Sequence, residues 1–141
     1  MRQGYLYSAM VLRRPVVERI GTLSYLIEHP EGLSTWQAGW KHGTRPSFRQ
    51  LLETMRGPAG EPGAPSDDVI ATVAKRYHEL VHGGPSASSV VLITLADGTP
   101  AFTTGKDVHS PDKADAVCTE LAMMAIVLMS RCVQVFPEAR S

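Results

Sequence analysis

The run "LAMMAIVLM" at residues 121–129 is apolar at nine consecutive positions, and no other stretch limits the fold so strongly. As a helix it makes about two and a half turns, so no side of it is left for water. Such a helix has to be covered all round. Ser110, Pro111 and Asp112 supply its start, a cap followed by a first-turn proline and an acid, and carry it to about Arg131. The apolar run itself is too short to cross a bilayer, which takes about 20 residues. One hairpin and one further helix are little cover for it. Homodimerisation through residues 117–129 would complete the core, with Leu121, Met124, Ile126 and Leu128 as the candidate interface. Flexible methionines suit such a contact. Burial within one chain is the alternative.

The rest of the chain divides around "GPAGEPGAPS" (57–66), whose three glycines and three prolines mark a linker. Before it, "GYLYSAMVL" (4–12) reads as a strand, and Pro15 suits the first turn of a helix. Val16, Ile20, Leu23 and Ile27 recur at helical spacing, widened by Val17 and Leu26, until Pro30 and Gly32 end that helix. A short second helix runs from Leu33 to about Lys41, closed by Gly43. Ser47 caps a third, with Phe48, Leu51, Leu52 and Met55 turned inward. After the linker, Ser66, Asp67 and Asp68 open a helix that stops at Gly83-Gly84. "SSVVLITLADGTPAFTTG" (88–105) reads as two strands joined at Asp97-Gly98, and "CVQVF" (132–136) as one more short strand.

Apolar residues are 43% and charged residues 20% of the 141, the balance of a folded globular chain. Net charge is zero but uneven: residues 1–57 hold eight Arg/Lys against four Glu (+4), residues 58–141 six against ten acids (−4). The excess suits an anionic partner for the first half, or attraction between the halves or between subunits. Cys118 and Cys132 are too far apart on one helix, about 21 Å, to pair. Free thiols imply a reducing, cytoplasmic setting. The first residues carry their arginines after the apolar run rather than before it, unlike a secretory signal.

"YHELVHGG" (77–84) holds the pattern His-Glu-x-x-His at His78, Glu79 and His82, which on a helix can bind zinc. On a helical wheel Val69, Val73, Tyr77 and Leu80 define the apolar face, widened by Ile70 and Val81. His78 and His82 fall away from it, beside Lys75. Lys75 and Glu79 form an ordinary i,i+4 pair, and Pro85 and Ser88 stand where a longer metzincin pattern needs Gly and His. Solvated histidines are the expectation, with no metal held; Glu120 is the one conceivable third ligand.

Two family resemblances go further. "VVLITLADGTPAFTTGKDV" followed by "AVCTELAMMAI" resembles the first half of a cytidine deaminase core: helix, hairpin with a DG turn, then a Cys-x-Glu pair opening a helix. The resemblance implies zinc on Cys118 and a proton shuttle at Glu120. The Pro-Cys-x-x-Cys half is missing, so the ligand set is incomplete. "LSYLIEHPEGLSTWQAGWKHGTRPSFRQLLETMRG" (23–57) resembles the helix-turn-helix of IclR-like winged-helix regulators, through "EHPEGLS" (28–34), Gly43 and "PSFRQLLETM" (46–55). That resemblance implies a recognition helix. With its apolar face buried, Arg49, Gln50 and Arg56 point outward, and Arg45 and Ser47 sit at the helix start. Arginine reads guanine, glutamine reads adenine, and a helix N-terminus favours phosphate. Gly39, Trp36, Trp40, His42 and Glu53 depart from the family pattern, and no basic wing follows.

The expected fold is α+β: a helical, helix-turn-helix-like unit over 1–57, a linker over 58–66, and a helix–hairpin–helix unit over 67–141 on a small antiparallel sheet. The expected function is a cytoplasmic, homodimeric regulator that binds double-stranded DNA, with no cofactor, metal, catalytic residue or membrane contact. A zinc-dependent hydrolase and a non-catalytic protein-interaction module are the alternatives.

Overall fold

A computed structural model describes residues 6–41, 43–56, 64–85, 87–88, 92–102 and 111–140. It is mostly helical with one small antiparallel sheet, a coarse α+β class. Five α-helices are described from end to end: α1 (Leu6–Glu28), α2 (Leu33–Gln37), α3 (Phe48–Arg56), α4 (Asp67–His82) and α5 (Pro111–Val135). The sheet pairs β1 (Leu92–Thr94) with β2 (Pro100–Phe102), in register Leu92↔Phe102, Ile93↔Ala101 and Thr94↔Pro100.

Helix α1 corrects the sequence reading at its start. Residues 6–12 are helical rather than a strand, and Pro15 lies inside the helix instead of opening it. Alanine, leucine, methionine and arginine between Leu6 and Arg14 are all good helix formers. Their propensity and the burial of Ala9 and Met10 outweigh the roughly 3 kcal/mol that an interior proline costs. From there the expected stripe is in place: Val17, Ile20, Leu23 and Leu26 are buried, while Ile27 is exposed. The helix stops where Pro30 pushes His29 out of the helical region, to φ −128° and ψ 66°, and a 3-10 turn (Pro30–Gly32) leads into α2.

The other helices show their end signals. Ser66 accepts from the backbone N–H of Val69 at 3.4 Å, with Asp67 and Asp68 in the first turn of α4. At its far end Gly83 adopts φ +75° and the Gly84 N–H bonds back to Glu79 O at 2.8 Å, a Schellman closure. Helix α2 is shorter than expected, ending at Gln37 with Gly39 at φ +85° two residues on. Helix α5 is longer: Cys132–Val135 continue it, and no strand forms at 132–136. The β-branched valines there lose only tenths of a kcal/mol by helix propensity, less than the gain from extending an existing helix. Of the hairpin expected over 88–105, the paired strands are described at 92–94 and 100–102. Its turn is in place, with Gly98 at φ +83° and Leu95 and Thr99 bonded at 2.9 Å. Residues 57–63 of the linker, 89–91, 103–105 and the Ser110 cap lie outside the described residues.

Contacts group the chain into two compact units, Met1–Pro15 with Lys75–Met123 and Val16–Ala74 with Met124–Ser141. In the first, Ala9, Met10, Leu80 and Val117 form the buried cluster, with Leu121 packed against it. In the second, Val17, Ile20, Leu23, Leu26, Leu51 and Ile70 are buried, and Leu51 is the most completely enclosed at 2% exposure. Burying a leucine to that degree stabilises by about 1.5–3 kcal/mol. Tyr25 adds edge contact with Trp40 at 6.3 Å, and Trp36 lies 6.0 Å from Phe136.

Candidate functional site

The five residues expected to meet nucleic acid lie around α3, and the structure gives them three different roles. Ser47 and Gln50 cap the helix reciprocally. The Gln50 N–H donates to Ser47 Oγ at 3.3 Å, while Gln50 Oε1 accepts from the Ser47 N–H and hydroxyl at 2.8 Å each. This is a capping box with glutamine at the third helical position. The Gln50 carbonyl oxygen is therefore engaged at the helix start. The sequence Ser-x-x-Gln carried that signal, and the base-reading expectation for Gln50 overlooked it.

Arg56 is a packing and pairing residue. Its side chain is only 16% exposed, and it pairs with the Asp67 carboxylate at the start of α4 and reaches Pro65 O at 3.5 Å. Arg45 and Arg49 are different. Arg45 Nη2 stands 3.4 Å from Glu18 Oε2, and Arg49 Nε 2.9 Å from Glu53 Oε1 one turn along α3. Both arginine side chains remain more than half exposed, at 54% and 56%. Between α1 and the start of α3 lies an open cleft of about 370 Å³, lined by Tyr25, Thr44, Arg45, Gln50, Glu53 and Thr54 among others. Arg45 and Glu53 put one charge of each sign on its wall.

Among the described residues, neither zinc-type constellation has a third ligand beside it. His78 and His82 are exposed on α4 with their rings 4.3 Å apart. Lys75 pairs with Glu79 at 3.8 Å, as the wheel implied. Val69 and Val81 are exposed rather than part of the buried face, which is carried by Ile70 and Leu80. Cys118 is exposed and free, as Cys132 is free and partly buried. Glu120, the residue in the proton-shuttle position, forms an ion pair with Arg13 of α1. The Arg13 guanidinium also lies 6.0 Å from the Tyr77 ring. Among the described residues no group of three or more His, Cys, Asp or Glu could hold a metal ion.

The expected interface residues split by face. Leu121, Met124 and Leu128 are partly buried against the chain itself. Ile126 is 56% exposed, as are Met123 and Met129 at 57% and 61%. The stretch Ala114–Val135, at mean hydropathy 1.7 and 6% buried, is long and apolar enough to cross a membrane by length and composition. Comparison with protein-family models, curated proteins and solved structures finds no match to this chain.

Proposed function

We propose that this chain is a non-catalytic, homodimeric binding protein that presents the start of α3 to double-stranded DNA, in the manner of a small cytoplasmic regulator. One observation carries the reading: the side chains of Arg45 and Arg49 are 54% and 56% exposed, and each has a single, at least partly exposed carboxylate as partner. Such pairs are worth at most about 1 kcal/mol. A phosphate, which takes a guanidinium bidentately, can replace Glu18 or Glu53. The +4 excess of residues 1–57 supports the choice of an anionic partner.

The ten residues between α2 and α3 (38–47) exceed the three- or four-residue turn of a helix-turn-helix. The proposal therefore rests on α3 as a presented helix, with α1 and α2 as its support within a helical 1–57 unit. Arg56, Ser47 and Gln50 serve the fold in this reading, and contact with DNA falls to Arg45 and Arg49. Duplex binding measured from low to high salt tests it, because phosphate contacts release counterions and the affinity falls by a slope of about −0.9 per contact. No binding to a genomic duplex pool at low salt would sink the reading and leave a protein-interaction module in its place.

A further inference from the structure

We infer that His78 and His82 form a two-histidine clasp on α4 for an exchangeable divalent ion of square coordination, copper(II) above all and nickel(II) after it. Water fills the remaining positions on the ion. The inference stands apart from the DNA reading, because it uses no residue of α3 and has its own test.

Spacing brings the two rings together. Residues four apart on a helix lie on one face, and the later side chain leans back over the earlier. His82 thus leans toward His78, and their ring centroids stand 4.3 Å apart. Both residues are exposed, and among the described residues neither ring takes part in a hydrogen bond. An ion can reach both without displacing a partner.

The separation selects the kind of ion. One nitrogen of each ring at about 2.0 Å from a metal, with the two bonds at a right angle, holds the centroids about 4.5 Å apart. The tetrahedral angle preferred by zinc opens them to about 5.1 Å, and opposite corners of a square to about 6.3 Å. The observed 4.3 Å lies nearest the first. Neighbouring corners of a square are what copper(II) and nickel(II) offer, and copper(II) binds nitrogen donors more tightly.

The surroundings suit a cation. His82 is the last residue of α4, where the carbonyls of the final turn carry about half a negative charge. Lys75, one turn before His78, pairs with Glu79 at 3.8 Å. Glu79 lies farther round the helix from His78 than Lys75 does, so the ammonium is drawn away from the rings. Catalytic zinc takes three protein ligands. Two give reversible binding and no hydrolysis. The bound ion ties the last turns of α4 together, and it stabilises the fold because the unfolded chain does not hold the rings at this spacing.

The experiment uses the full chain carrying Cys118→Ser and Cys132→Ser, so that the free thiols neither bind nor reduce the ion. Copper(II), nickel(II) and zinc(II) chlorides are titrated separately by calorimetry into this chain and into its His78→Gln and His82→Gln versions. Circular dichroism confirms that each keeps its helices, and nickel(II) is also titrated into the chain with both cysteines present. The inference expects one copper(II) per chain, nickel(II) held more tightly than zinc(II), and binding at least about tenfold weaker after either histidine substitution. Electron paramagnetic resonance of the copper form should show two nitrogen ligands, and one in each histidine variant. Copper(II) should raise the melting temperature of the parent chain and of neither variant. Binding that is unchanged by the substitutions, or lost in only one variant, means an adventitious ion held elsewhere and overturns the inference. Zinc(II) held more tightly than nickel(II) overturns the square geometry and the inference with it.

Discussion

Gly21 of α1 faces Leu51 of α3 so closely that a β-carbon on Gly21 would stand 2.7 Å from the Leu51 β-carbon and 3.3 Å from both Leu51 O and Met55 Sδ. The two helices meet there because one of them lacks a side chain. Leu51 cannot retreat by turning a rotamer, since its β-carbon is fixed to the backbone. Gly21→Ala should therefore destabilise by about 1–3 kcal/mol, the usual cost of overpacking, despite alanine's better helix propensity. Chemical denaturation measures it. A Gly21→Ala chain as stable as wild type would mean that α1 and α3 do not approach this closely in solution.

Ser24, three residues along the same helix, is buried, and its Oγ has no hydrogen-bond partner. An unsatisfied buried hydroxyl costs roughly 1–3 kcal/mol in desolvation. Ser24→Ala should leave stability unchanged or raise it by up to about 1 kcal/mol. A loss of more than that, read as a fall in denaturation midpoint at constant slope, would show that the hydroxyl has a partner.

Arg49→Ala and Arg56→Ala should separate binding from folding. Removing Arg49 takes away an exposed guanidinium and one i,i+4 pair, so stability falls by less than about 0.5 kcal/mol while duplex affinity drops and the salt slope shrinks by about one. Removing Arg56 takes away a largely buried side chain and its packing, while the Asp67 carboxylate left behind is exposed, so stability falls by about 1 kcal/mol, more than for Arg49. The paired measurement is a denaturation curve and a salt titration for each variant. If Arg56→Ala alone lowers affinity, with stability unchanged, the roles assigned to the two arginines are reversed.

The hairpin turn carries a pH dependence. The Thr99 backbone N–H, 2.9 Å from Asp97 Oδ1, and then the Thr99 hydroxyl hold the Asp97 carboxyl below the ordinary aspartate value. A group depressed in the folded state contributes its stabilisation in full above its unfolded pKa and loses it as pH falls through the folded one. The turn is thus insensitive to pH near neutrality and loosens only in acid below the usual aspartate range. Carbon NMR titration of the Asp97 carboxyl reads this directly. Thr99→Val removes the hydroxyl and keeps the N–H, so the midpoint should return only part of the way; a full return would assign the shift to the hydroxyl alone.

Helix ends were the most legible part of the fold, because each is written in local chemistry. Ser47, Ser66 with Asp67, Gly83 and Pro111 all stand where α3, α4 and α5 start or stop. Pro15 misled because a proline that suits a first turn is also tolerated inside a helix whose neighbours favour it strongly. The run 132–136 misled for a related reason: valine prefers strands in isolation, but an existing helix extends at little cost. At α5, nine apolar residues in a row erase the periodicity that tells one face from another. Which of Leu121, Met124, Ile126 and Leu128 turn inward was therefore not readable from their spacing. The exposure of His78 and His82 was readable, since α4 keeps a polar side.

The pair between Arg56 and Asp67 pins together the two ends of the intervening segment, 57–66. Closure entropy grows only logarithmically with the number of residues enclosed, so doubling that segment costs about 0.6 kcal/mol. An insertion there leaves both pinned ends, and the caps of α3 and α4 beside them, in place. At this position the chain can accept added residues, a reporter sequence or a second domain with little effect on what lies on either side.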